Sequence, residues 1–77
     1  MDINDELNRL YECAENYDSD LLEKYWAVVG KIRESDPSKE VIDWLDMAQA
    51  ASVGCYTLQE LSWEVKAFCE QFPKNGN

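Results

Sequence analysis

Histidine is absent from this chain of 77 residues, and glycine and cysteine each occur only three times. Without histidine the chain lacks the side chain most often used as a general base or a metal ligand near neutral pH. Ser-His and Cys-His nucleophilic pairs are excluded for the same reason. With glycine so scarce, no phosphate-cradling loop can be traced. Cys13, Cys55 and Cys69 form an odd set with no C-x-x-C pair. That is neither the even framework of a secreted disulfide domain nor a zinc-site spacing, so they read as reduced, mostly buried thiols of a cytoplasmic protein.

Metal chemistry finds little else to use. Carboxylates on helices can hold iron or manganese, but the bundle form of that site needs Glu-x-x-His pairs, which this chain lacks. Asp43 and Asp46 stand three apart and read as a solvated face. Tyr17–Asp20 lacks the glycine and the correctly placed glutamate of a calcium loop. No cofactor and no enzymatic activity are expected.

Long apolar runs are missing as well. Nothing approaches the ~18 residues of a membrane span, and Met1 leads into acids rather than a basic and then apolar leader. The expectation is a soluble chain with no membrane partner. No segment of useful length alternates with period two, so strands are not expected either.

What the chain does have is negative charge, and it is unevenly placed. The net charge is −9. Asp2, Asp5, Glu6, Glu12, Glu15, Asp18, Asp20 and Glu23 face a single base, Arg9, whereas the remaining acids and bases nearly balance. Such a field repels nucleic acid and anionic surfaces and attracts basic ones. Hydrophobic residues make up 45% and aromatics 12%, enough apolar material for one modest core.

Four segments carry helical period. The first, about 2–16, gathers Ile3, Leu7, Leu10, Tyr11 and Ala14 on one face. The second starts at Asp18 or Asp20 and runs to about Glu34. Asp20 and Glu23 suit a capping box, while a start at Asp18 would set Tyr17 and Leu22 as a staple. Its stripe is Leu21, Leu22, Tyr25, Val28, Val29 and Ile32, with Trp26 at the edge and Gly30 on the polar side. The third starts at Pro37 with Asp36 as cap and runs to about Ala51, burying Val41, Trp44, Leu45 and Ala48. The fourth has the clearest start, a Thr57/Glu60 capping box with Tyr56 and Leu61 at staple positions, and Pro73 stops it. Its stripe is Leu58, Leu61, Val65, Phe68, Cys69 and Phe72. Residues 1–73 thus predict one all-α domain, a small antiparallel bundle of four helices, with 74–77 as a frayed tail. A three-helix core with a mobile acidic first helix is the fallback.

Two features point to binding. Trp63 lies about 180° from the buried stripe of its helix, beside Glu60, and an exposed tryptophan suits an interface anchor. Asp5, Glu12 and Glu15 lie along one side of the first helix. Their carboxylates project at roughly 4.5–10 Å intervals, comparable to phosphates along one DNA strand. A third pattern, Asp46–Gly54 followed by a capped helix, loosely resembles a helix-turn-helix. Its reading face would offer Gln59, Glu60 and Ser62 with only Lys66, a poor footprint for DNA.

The expected function is therefore a non-catalytic acidic module that binds and modulates or inhibits a protein with a basic surface, such as a nucleic-acid-binding protein. Partner contact is assigned to Trp63, Glu60, Asp5, Glu12 and Glu15, with no direct nucleic-acid binding. Phage-encoded inhibitors of bacterial defence, DNA mimics among them, and small immunity or antitoxin proteins share this size and charge, which is a class analogy only. The alternative is a self-associating subunit, a homodimer formed through Trp63 or an edge aromatic. A helix-turn-helix regulator ranks last.

Overall fold

The computed structural model describes residues 2–72 and contains four helices: α1 (Ile3–Glu15), α2 (Leu21–Glu34), α3 (Lys39–Val53) and α4 (Leu58–Gln71). Pro73 and the 74–77 tail lie outside the described residues.

Local chemistry explains most of the boundaries. Asp2 caps α1 by accepting the Asn4 N–H at 3.0 Å, and Asp5 and Glu6 lie in the first turn, where the helix dipole is positive. α1 ends in a Schellman arrangement: Tyr17 N–H donates to the Ala14 carbonyl and Asp18 N–H to that of Cys13. This puts Tyr17 at the left-handed position with φ 52°, where glycine is the usual occupant. α4 opens on the expected capping box, with Thr57 Oγ1 accepting the Glu60 N–H and Glu60 accepting the Thr57 N–H, each at 3.1 Å.

Three details of the helix starts differ from the sequence expectation. Asp20 precedes α2 but makes no capping hydrogen bond, because Lys24 draws the carboxylates of both Asp18 and Asp20. The cap of α3 is Ser38, whose hydroxyl accepts the Val41 N–H, rather than Asp36. Asp36 takes φ 58° and turns the chain before Pro37. Tyr56 is 91% exposed, so it staples nothing to Leu61.

The contacts between neighbouring helices fit an antiparallel arrangement. Glu6 reaches Lys31 and Cys13 reaches Lys24 between α1 and α2. Arg33 meets Asp46 and Trp26 meets Ser52 between α2 and α3. Tyr11 meets Glu70 between α1 and α4. Trp44 stacks on Phe68 with ring centroids 6.2 Å apart, far from the α3–α4 turn. That closeness fits two helices lying side by side rather than the steep crossing of a helix-turn-helix. The architecture is an all-α bundle of the up-down-up-down kind.

Phe68 is the hub of the core. Tyr25 and Phe72 meet it edge-on at 5.1 and 5.6 Å, the orientation that sets ring edges against ring faces. The Tyr25 contact joins α2 to α4 across the diagonal, whereas α1 and α3 do not touch. Leu7, Leu10 and Ala14 bury α1 firmly, and α4 is its main neighbour, so the three-helix fallback does not hold. α3 is the least embedded helix, with only Val41, Leu45 and Ser52 of its 15 residues buried.

Candidate protein-binding surface

Folding redistributes the charge that the sequence concentrates at one end. Of the eight acids up to Glu23, Glu6 pairs with Arg9 and Lys31, while Asp18 and Asp20 pair with Lys24. Arg33 takes Asp46, and Lys39 takes Asp43. Asp43 and Asp46 are thus each held by a base, not aimed at a shared cation. Among the described bases only Lys66 forms no ion pair; it sits over the Tyr11 ring at 5.9 Å. Asp5, Glu12 and Glu15 are exposed on the outer side of α1 and belong to no ion pair among the described residues. A network in which nearly every base is already engaged leaves the remaining carboxylates to set the outward potential.

Lys24 makes the shortest of the ion pairs near α1. Its ammonium lies 2.9 Å from Asp18, which raises the lysine above its ordinary pKa and, with a further hydrogen bond from Cys13, lowers the aspartate. The Tyr11 phenol is raised by loss of surrounding water and then by Glu70, whose carboxylate accepts its O–H at 3.3 Å.

The other predicted residues lie elsewhere. Trp63 is 61% exposed on α4. With Glu60 and Glu64 it edges a cleft whose opposite side is Ala51 and Gly54 at the end of α3. Glu60 has a second duty there, since its Oε1 accepts the Tyr56 N–H at 2.8 Å as well as that of Thr57. The five residues assigned to partner contact divide into two groups, because Trp63 and Glu60 line this cleft and Asp5, Glu12 and Glu15 do not. One is an acidic flank and the other is an aromatic-edged cleft.

Sequence periodicity missed most of the exposed apolar surface. Trp26 and Leu22, assigned to the α2 stripe, are both exposed, Trp26 at 43%. The Trp26 indole N–H donates to Ser52 Oγ at 3.2 Å, so the ring lies along the α2–α3 seam instead of entering the core. Tyr17, Val53 and Tyr56 are exposed too. In an antiparallel bundle all of these stand toward the end formed by the α1–α2 and α3–α4 turns. Trp44, expected in the core, is only half-buried; its indole N–H is covered and has no acceptor among the described residues, and Ser62 Oγ likewise has no partner among them. The signal for this surface was long-range packing, which apolar spacing along one helix does not carry.

The thiols are chemically quiet. Burial pushes Cys69 up to about 12, with Glu70 adding to it, and burial likewise raises Cys13 and Cys55. Among the described residues no three His, Cys, Asp or Glu side chains converge as a metal site, and no helix is long and apolar enough to cross a membrane. Comparison with family models, with curated proteins and with solved structures finds no match.

Proposed function

We propose that this protein is a non-catalytic acidic binding module whose partner is a protein with a basic surface, and that binding modulates or blocks that surface. The observation that supports it most is the disposition of charge. Five of the six described bases are tied into internal ion pairs, while Asp5, Glu12 and Glu15 stand exposed without one. Carboxylates in that state act at long range, raising the encounter rate with a cationic surface and turning away anionic ones. Trp63 then supplies a large apolar contact that slows release. A groove that normally holds nucleic acid is one surface of the required sign.

The test combines capture with kinetics. Immobilised protein is used to recover partners from source-cell lysate at low and moderate salt, and the association rate is measured for the recovered partner. Replacing Asp5, Glu12 and Glu15 together by lysine lowers that rate, most strongly at low salt. A rate unchanged by the substitutions and flat with salt removes the steering role. Recovery of acidic partners only removes the reading as a whole.

A further inference from the structure

The cleft between α3 and α4 has a chemistry of its own. Its floor is the Trp44–Phe68 stack, flanked by Ala48, Ala51 and Ala67, and its apolar stretch encloses about 230 Å³. That is below the roughly 300–1,000 Å³ of small-molecule pockets, so it accepts side chains of a larger partner more readily than a whole ligand. Met47 forms one rim at 69% exposure, and Trp63 stands at the far end. Among the described residues, the charged ones lining it are Glu60 and Glu64, and none is a base. Lys66 lies on the opposite flank of α4, over Tyr11.

We propose that this cleft seats an amphipathic helix with a basic outer face, contributed by the partner protein. The inference rests on the acidic-module reading and specifies where and how that module grips. Ala48 and Ala51 on the α3 wall and Ala67 on the α4 wall leave room for a helix to approach, and the aromatic floor takes aliphatic anchors at i, i+3, i+4 and i+7. From Trp44 to Gly54 the cleft follows α3 for about 15 Å at 1.5 Å per residue, the length of roughly three helical turns. Glu60 and Glu64 then meet lysines or arginines beside those anchors. A second copy of this chain is the poorer occupant, because it would bring another net charge of −9 against the same acidic rim.

The probe is a synthetic 14-residue helical peptide with leucine at i, i+3, i+4 and i+7 and lysine elsewhere, labelled for anisotropy and titrated against the full chain. Two controls accompany it: a scramble of the same composition, and a version with glutamate for lysine. The periodic lysine peptide should bind at least tenfold more tightly than either. Ala51→Lys, at an exposed helix position, should weaken it at least tenfold with the helical content unchanged. Met47→Gln, one turn earlier along the same α3 wall, repeats the test should the first variant lose structure. Equal binding of the periodic and scrambled peptides, or indifference to both variants, overturns the cleft. If binding then disappears only with lysine at Asp5, Glu12 and Glu15, the acidic module stands without the cleft. If no lysine peptide binds at low salt, both fall. A dimer in solution that Ala51→Lys dissociates assigns the cleft to a second copy and overturns the proposal.

Discussion

Phe68 and Trp63 lie on the same helix, five positions apart, and the structure gives their removal opposite consequences. Phe68 is 3% exposed and touches the rings of Tyr25, Trp44 and Phe72. Truncating such a phenylalanine to alanine costs about 3–5 kcal/mol in lost transfer energy and cavity formation. A 77-residue domain holds roughly 4–12 kcal/mol in total at ~0.05–0.15 kcal/mol per residue, so Phe68→Ala removes at least about a quarter of its stability and, at the lower end, all of it. Trp63 keeps 61% of its surface in water. A buried aromatic covers roughly 150–250 Å², so the part of Trp63 actually covered is below about 100 Å². At ~25 cal/mol per Å², and with an unfolded chain that already hides some of that area, Trp63→Ala costs about 1–2 kcal/mol. Urea unfolding of both variants, followed by far-ultraviolet circular dichroism, checks the contrast. The midpoint for Phe68→Ala should fall well below that for Trp63→Ala. Equal losses would mean that the Trp63 ring is part of the core, and its role at an interface would go with it.

Two further outcomes follow from single sites. Gly30 lies inside α2 with no atom within 4 Å of an added methyl, so Gly30→Ala should raise stability by about 0.8–1 kcal/mol, read as a higher urea midpoint. A lower midpoint would reveal a steric neighbour. Cys69, raised to about 12 by burial and then by Glu70, keeps its proton when folded but loses it near pH 9 when unfolded. The unfolded state therefore binds fewer protons above that pH, and the stability fully present below pH 9 declines as pH rises toward 12. Across about pH 9 to 10 this one group contributes a decline of roughly 1 kcal/mol, to which the other raised thiols and the tyrosines add, so the variant rather than the absolute slope isolates it. Urea melts across that interval should show a clearly shallower decline for Cys69→Ala; an identical slope would place the titration elsewhere.

The residues that were legible in the sequence are those whose partners are close along the chain. The Thr57/Glu60 box is a three-residue relation and formed as expected, and the buried stripe of α4 followed from its spacing. Where two local signals competed, the result turned on geometry: Ser38, rather than Asp36, reaches the free N–H of Val41. Leu22 and Trp26 were misplaced because apolar spacing marks a side chain that can be covered, not one that is. Cover on that side depends on how α3 passes α2, and there Trp26 settles for a hydrogen bond to Ser52. Charge was the least legible property. Lys24 and Lys31 come after the acidic run in sequence yet fold back onto Asp18, Asp20 and Glu6. The cleft was invisible for the same reason, since its walls come from two helices and its floor is a stack of Trp44 on Phe68.

The clasp between α1 and α4 also governs when this protein can form. Tyr11 and Glu70, which seal it, are 59 positions apart. During synthesis α2 can pack on α1 early, but the side of α1 that meets α4 waits until α4 has left the ribosome, and a nascent chain halted before that point displays an incomplete core. Contacts of such wide separation also slow refolding relative to bundles closed by neighbours alone. The α1–α4 seam is accordingly where a cell's chaperones would first meet this chain.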